Sequence, residues 1–305
     1  MSASAYQHTS VLLQECITAL NIVPNGIYVD ATFGGGGHSA AILQQLGPKG
    51  KLIAFDQDAA VINHLPEDNR VTFINENFRY MKRFLRLLGI KEVNGILADL
   101  GVSSYQFDTA ERGFSIRFDA DLDMRMDARA TLKASDIINR YSEAQMHKIF
   151  EQYGEVTNAR TLASTIVQQR HGRQINTISD FKHAIQSCVR GNTHKYLAQV
   201  FQALRIEVNA ELQVLEMFCT DALTMLAPQG SLCVISFHSL EERVVKHAMQ
   251  GKQASDDALQ HNPFIALPSA HKKEFIVSKP ITPSQEEIKN NARSRSAKLR
   301  VAIKK

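Results

Sequence analysis

The densest chemistry in the chain lies in ten residues, Asp30-Ala31-Thr32-Phe33-Gly34-Gly35-Gly36-Gly37-His38-Ser39. An acid opens the stretch, and an imidazole and a hydroxyl close it. The four glycines between have no Cβ, so the backbone can turn sharply and approach a ligand closely. Two more acids end apolar runs: Asp56 after Leu52-Ile53-Ala54-Phe55, and Asp99 after Gly95-Ile96-Leu97-Ala98. In open α/β sheets ligands bind beyond the carboxyl ends of the strands. Three carboxylates at such ends mark the candidate site.

The glycine stretch follows the apolar run Ile27-Tyr28-Val29 and leads into Ala40 to Leu46, which Gly47-Pro48 ends. That order is strand, glycine turn, helix, a general device for holding a nucleotide at a helix N-terminus. A phosphate-binding P-loop would need Gly-Lys-Ser/Thr at its end, and here His38-Ser39 follows Gly37. Gly35 to Ala40 does fit the dinucleotide pattern G-x-G-x-x-A, with Asp56 about 20 residues further on. Charge separates the remaining readings. Asp30 at the mouth of the loop would repel a pyrophosphate and attract S-adenosylmethionine, which carries a sulfonium and an ammonium and no phosphate. Asp56 can accept ribose hydroxyls from either cofactor. The balance favours the methyl donor; a nicotinamide cofactor and a turn with no ligand stay open on these residues alone.

Other candidate clusters carry less. Asp119, Asp121 and Asp123 resemble the start of a calcium loop, but Met124 stands where that loop needs Gly and Ala130 where it needs Glu. Leu122, Met124 and Met126 alternate with polar residues, which predicts an extended segment with one apolar side. His238 and His247 lack the H-E-x-x-H spacing of a zinc helix, so no metal is expected. Ser239-Leu240-Glu241-Glu242 reads as a capping box with Ser239 as the cap.

The elements that must position these groups follow from periodicity. Strands are expected at Lys51–Asp56, Val71–Ile74, Gly95–Gly101 and Ser231–Phe237, with a last edge pair at Glu274–Val277 and Lys298–Ile303. Helices are expected at Ser10–Asn21, capped by Thr9 or Ser10, at Ala59–Leu65 and at Phe78–Leu88, where Gly89 ends the apolar face. Strands and helices alternating at this pace predict βαβ units around a parallel sheet. From Ser103 to about Lys195 the strand signal fades, and Ser135–Tyr153, Val156–Arg170 and Ser179–Val189 read as helices. The expected organisation is an α/β domain of residues 1–104 and 196–305, interrupted by a helical insertion of residues 105–195. One long helix is expected over Gln199–Leu226; Gly251 to Lys273 shows no clear pattern.

The chain has 305 residues, 44% apolar and 22% charged, enough for one large or two ordinary domains. The opening MSASAYQHTS has neither a basic nor an apolar stretch, and no apolar run approaches the roughly 18 residues of a membrane span, so a cytoplasmic location is expected. Cys16, Cys188, Cys219 and Cys233 stand alone and read as reduced structural thiols. Net charge is only +4, but Lys289 to Lys305 holds seven Lys or Arg and no acid. That tail, with Arg160, Arg170, Arg173 and Lys195 in the insertion, supplies candidate contacts to a phosphate backbone.

Several strings together carry a resemblance. They are His8-Thr9-Ser10-Val11-Leu12-Leu13, Asp30 to Ser39, Asp99-Leu100-Gly101-Val102-Ser103-Ser104 and Glu111-Arg112-Gly113-Phe114-Ser115. With them come Leu122-Asp123-Met124-Arg125-Met126-Asp127, Phe201-Gln202-Ala203-Leu204-Arg205-Ile206, Ser236-Phe237-His238-Ser239-Leu240-Glu241 and Arg295-Ser296-Ala297-Lys298-Leu299-Arg300. In this order, over nearly the whole chain, they resemble the bacterial ribosomal small-subunit methyltransferase H family, also called the MraW family. The resemblance implies a Rossmann-like class I methyltransferase fold with a helical insertion that helps recognise substrate. It implies methyl transfer from S-adenosylmethionine to N4 of a cytidine in 16S rRNA, in the P-site region of the decoding centre. It places cofactor contacts on Gly36, Gly37, His38, Asp56, Phe78, Asp99 and Gln106, and makes 16S rRNA or the small ribosomal subunit the partner.

Three positions depart from the family pattern. Ala120-Asp121 replaces Gly-Pro before Leu122; His194 to Val200 replaces His-Pro-Ala-Thr-Arg before Phe201; Asn291-Ala292-Arg293 replaces Asn-Pro-Arg. The first two bear on the insertion and the helix after it, and leave the cofactor strings intact. In the chemistry implied, an acceptor on the amine N–H would return electron density to nitrogen and aim it at the methyl group. Asp99, or a backbone carbonyl of residues 100–103, is expected near that amine. A nicotinamide oxidoreductase and a non-enzymatic RNA-binding assembly factor are the competing classes.

Overall fold

Short apolar runs between glycine turns produce the sheet that carries the three aspartates. In the computed structural model, residues 10–251 and 274–305 are described; the patternless stretch 252–273 and the residues before Ser10, Thr9 among them, lie outside. The chain divides into two units, one running to Gly101 and resuming at Leu212, the other spanning Val102–Glu211.

The first unit opens with α1 (Leu13–Leu20), β1 (Ile27–Asp30), α2 (Gly37–Gln45), β2 (Lys51–Phe55), β3 (Val71–Ile74), α3 (Met81–Leu87) and β4 (Val93–Asp99). Ser10, expected as a cap, does not cap α1, and the alternative, Thr9, lies outside the described residues. Leu12 takes that position in a left-handed conformation, and its amide donates to Glu287 Oε1 at 2.9 Å. Ser10 packs against the glycine loop instead, its hydroxyl only 2.0 Å from where a Cβ on Gly37 would stand. Ala59–His64 and Phe78–Tyr80 form 3-10 turns, so α3 starts three residues later than its apolar periodicity predicts.

The second unit holds α4 (Ser104–Asp108), α5 (Ala134–Arg140), α6 (Glu143–Gln152), α7 (Ala159–Arg170), α8 (Ile178–Ala184) and α9 (Thr193–Asn209). The single helix expected over Ser135–Tyr153 is two, because Ser142 starts a new capping box with Gln145. Its core gathers Phe150, Leu162, Ile166, Phe181, Phe201 and Leu204. Leu122, Met124 and Met126 are buried there, as their alternation predicts, with Leu122 N donating to Asn176 O at 2.8 Å. The long helix expected over Gln199–Leu226 breaks at Ala210, which is left-handed (φ 48°). Asn209 drives the break: its amide donates to Met124 O and Arg205 O, both at 2.9 Å, and accepts from Met126 N at 2.8 Å.

The chain then completes the first unit with α10 (Glu211–Met225), β5 (Leu226–Ser236), α11 (Ser239–Met249), β6 (Phe275–Val277), α12 (Gln285–Asn290) and β7 (Lys298–Lys304). Among the described residues the strands form one seven-stranded sheet in the order β3-β2-β1-β4-β5-β7-β6. β1 to β5 are parallel; β7 runs antiparallel to both β5 and β6. The fold is a Rossmann-like α/β sheet, as the alternation of elements predicts, with the last edge pair where the sequence predicts it. Side chains of α1, α2, β1, β4, β5 and β7 form its main apolar cluster.

Candidate active site

Parallel pairing puts the ends of β1, β2 and β4 at one edge: Asp30 lies opposite Ala54 and Leu97, and Asp99 opposite Ile235. The glycine loop starts at this edge. Ala31 N donates to Leu97 O and Phe33 N to Phe55 O, both at 2.8 Å, so the chain leaves β1 still bonded to its neighbours. Gly36 is left-handed (φ +76°), and a Cβ there would meet the Phe33 ring at 2.8 Å. At Gly36 and Gly37, then, the missing Cβ is demanded by Phe33 and Ser10 as well as by any ligand.

Asp30 is 1% exposed. Its Oδ2 accepts the Ser39 hydroxyl at 2.7 Å and its Oδ1 the Thr32 amide at 3.1 Å. Burial pushes its carboxyl above the ordinary range, against the opposing pull of the Ser39 bond and of His38. The charge reading made Asp30 the attractor for a sulfonium; the structure commits both its oxygens to bracing the loop. Asp56 accepts from Gly34 N at 2.8 Å and Asp58 N at 2.9 Å, and burial raises its pKa to about 6. Each of its oxygens keeps a lone pair for a hydroxyl donor.

Two asparagines that the sequence did not single out join the next loop to this edge. Asn75 Nδ2 donates to Asp56 O at 2.9 Å, and Asn77 Nδ2 to Gln57 Oε1 at 2.7 Å. Phe78, which follows, packs edge-on against Phe218 with ring centres 4.9 Å apart. Only the run of Asn and Asp after strand ends hinted at these ties.

Asp99 ends β4 with its amide donating to Thr32 Oγ1 at 2.7 Å. Its Oδ2 lies 3.9 Å from His38 Nδ1, and its Oδ1 is buried with no hydrogen-bond partner. Burial, and then the charges of Asp30 and Glu241, hold its carboxyl well above the usual range. His38 is 6% exposed, with Nε2 at 3.1 Å from the Val11 carbonyl. Glu241, read from the sequence only as part of a capping box, belongs to this edge as well. It is 2% exposed and accepts from Phe237 N at 2.8 Å and His238 N at 3.3 Å. The capping box therefore sits one residue earlier than expected, with His238 as cap, and Glu242 is released to pair with Arg300.

Gln106 belongs to the second unit. On α4 it forms a capping box with Ser103: its Oε1 accepts from Ser103 N at 3.2 Å, and its backbone N–H donates to Ser103 Oγ at 3.1 Å. The other six expected cofactor residues share the first unit's carboxyl edge.

The basic candidates divide by burial. Arg170 is half-buried and donates to Ile138 O at 2.8 Å and Tyr141 O at 2.7 Å, closing the C-terminus of α5, whereas Arg173 is exposed, 3.3 Å from Asp180. Arg160 and Lys195 are exposed. In the C-terminal cluster Arg300 is buried against Glu242 and Lys304 donates to Leu226 O at 2.7 Å, while Lys289, Arg293, Arg295, Lys298 and Lys305 are exposed. The four cysteines are buried and unpaired, and burial pushes Cys219 and Cys233 up to about 12. Among the described residues no helix is long and apolar enough to cross a membrane.

The sequence profile of the MraW methylase family matches residues 5–305. The chain belongs to the MraW methylase family. Membership bears out the resemblance carried by the motif strings. It makes the chain a methylase with S-adenosylmethionine as donor, and it sets aside the nicotinamide and non-enzymatic readings. Ribosomal RNA small subunit methyltransferase H of Flavobacterium johnsoniae is 51% identical over 306 residues, covering 100% of both chains. The protein of that name from Bacteroides fragilis is 49% identical over 98% of this chain and 97% of its own. Among solved structures, an rRNA methylase from Streptococcus thermophilus aligns over 98% of each chain at 11% identity and a TM-score of 0.40. Fibrillarin from Aeropyrum pernix, solved with S-adenosylmethionine, aligns over 95% of this chain and 73% of its own at 9% identity and a TM-score of 0.38.

Proposed function

We propose that this MraW-family methylase transfers a methyl group from S-adenosylmethionine to N4 of a cytidine in the P-site region of the decoding centre of 16S rRNA. What carries this reading is the 51% identity, over the full length of both chains, to a ribosomal RNA small subunit methyltransferase H. The donor arrives activated, so much of the catalytic work is positioning. Gly36, Gly37, His38, Asp56, Phe78, Asp99 and Gln106 are the residues proposed to hold it. The chemistry of the set suits that cofactor: carboxylates and an aromatic ring for a cation, hydroxyls and an adenine, with no lysine or arginine for a phosphate.

The acceptor amine is the harder half, because its lone pair is delocalised into the cytosine ring. The buried, unpartnered Oδ1 of Asp99 supports a role as the acceptor that takes an amine N–H. An acceptor left unpaired at a buried site is costly unless a bound group satisfies it. The helical unit is proposed to bring the cytidine in, with the base unstacked from its neighbours, as base-modifying enzymes require. The partner is 16S rRNA or the small subunit, and the place of action the cytoplasm.

The deciding experiment incubates labelled donor with undermethylated small subunits and identifies the modified nucleoside by mass. N4-methylcytidine is expected; its absence would sink the reading. Asp99→Ala is expected to lose turnover or donor affinity, and an Asp99→Ala protein equal to wild type in both would remove Asp99 from the site.

A further inference from the structure

We propose that the second unit holds an unpaired base of the RNA substrate, other than the cytidine that reacts, on an aromatic platform built from Phe118, Arg117 and Phe107; this rests on the rRNA reading above. Among the described residues of that unit, the exposed large apolar side chains are both aromatic: Tyr105 and Phe118, 52% and 39% exposed. Phe114 is buried in the unit's core and Ile116 packs against it, so the chain has entered the core and left it before Phe118. The loop is pinned on both sides of that ring. Arg117 donates from its backbone N–H at 3.3 Å and from Nε at 3.2 Å to Oγ of the buried Ser115, and from Nη2 to Asp108 Oδ1 at 2.9 Å. Asp119 Oδ1 accepts from Ser179 N at 3.0 Å in the first turn of α8, and Lys182 Nζ donates to Ile116 O at 3.3 Å. The guanidinium carbon of Arg117 stands 5.3 Å from the centre of the Phe107 ring and 5.5 Å from that of Phe118, within cation–π range. The platform is set before a ligand arrives, which lowers the ordering cost of binding.

The chemistry of this face selects its occupant. Arg117 is met by Asp108, and Lys182 has Asp119 beside it, so cations and acids balance and leave little attraction for a phosphate. What stays available is ring surface and a guanidinium plane. Unpaired RNA is recognised by bases splayed out and stacked on aromatic rings and arginine planes. Every base has a π face, so the contact needs no particular sequence. The residues proposed to hold the methyl donor belong, Gln106 apart, to the first unit, so the base taken here is not the one that reacts. The platform therefore contributes affinity and leaves the methyl transfer itself unchanged.

Binding to undermethylated small subunits, measured across a range of salt, tests this. Phe118→Ala is expected to weaken binding by about 5- to 100-fold, the range for one stacked base. The salt slope should stay that of wild type, because a neutral ring releases no counterion. Phe118→Tyr keeps a π face and is expected to bind within about threefold of wild type, while Phe118→Leu keeps apolar bulk alone and should bind as weakly as Phe118→Ala. At saturating subunits kcat should stay within about twofold in all three, the loss residing in KM. Binding by Phe118→Ala within about twofold of wild type, wild-type binding by Phe118→Leu, or a changed salt slope in either would overturn the platform. If Phe118→Ala does not fold, Phe118→Leu decides. A benzophenone side chain placed at Phe118 and irradiated on the subunit is expected to attach to rRNA; attachment to ribosomal protein alone, or no attachment, would overturn a base as the occupant. Failure of the wild type to form N4-methylcytidine breaks the functional reading alone; the binding series and the cross-link still judge the platform.

Discussion

Ser39 donates its hydroxyl to Oδ2 of Asp30 at 2.7 Å, and both residues are 1% exposed. The bond joins the last residue of β1 to the first turn of α2 across the glycine loop. Ser39→Ala would leave a buried carboxylate oxygen short of its donor, a loss of about 1–3 kcal/mol. The expected outcome is a lower urea midpoint with an unchanged slope. A midpoint equal to wild type would show that the loop does not depend on this brace.

Asp56 sets a pH dependence whose sign can be worked out. Its folded pKa, about 6, lies above the ordinary value of 3.8, so between those values the folded chain binds more protons than the unfolded one. Stability contributed by this group is therefore full at low pH and is lost as pH rises through about 6, by up to about 3 kcal/mol. Asp56→Asn is expected to remove that slope; since Asp30 and Asp99 shift the same way, the comparison with wild type isolates it. Donor affinity should move oppositely, strengthening from pH 5 to pH 7 as Asp56 ionises and accepts hydroxyls. Calorimetry at both pH values, with Asp56→Asn flat across them, checks this.

The basic residues of the helical unit should separate by variant. Arg170→Ala breaks two bonds to carbonyls at the end of α5 and is expected to lower stability by about 1–3 kcal/mol. Arg160→Ala and Lys195→Ala alter exposed side chains and should leave stability within about 0.5 kcal/mol. If the exposed pair contacts phosphate, each substitution reduces the salt dependence of binding to small subunits by about one counterion. Salt slopes unchanged in both variants would place the RNA path elsewhere.

The candidate site was legible to different depths. That Asp56 and Asp99 fall at the carboxyl ends of strands follows from local apolar runs, and the structure repeats it, with β1 between their two strands. The partners of each side chain do not follow. Ser239 was read as a cap because Ser and Glu three apart make a capping box; His238 takes that place because Glu241, buried, reaches back to two amides before the helix. Gln199–Leu226 was read as one helix because its apolar period runs on without a glycine or proline. Asn209 ends it through bonds to Met124 and Met126, more than eighty residues away in the chain.

The amino-acid sequence by itself determined the strand–loop–helix that opens the site, the acids at the strand ends, the alternation that makes an α/β fold and the family. Each of these rests on neighbours in the chain, on periodicity or on uninterrupted strings. Only the tertiary structure decided which charges are spent. Asp30 went to Ser39 and Thr32, Arg300 to Glu242 and Arg170 to two carbonyls, while Asp99 kept one oxygen unpartnered. The physical reason is desolvation: a buried charge or dipole must find its partner wherever packing brings one, at separations that local patterns do not span.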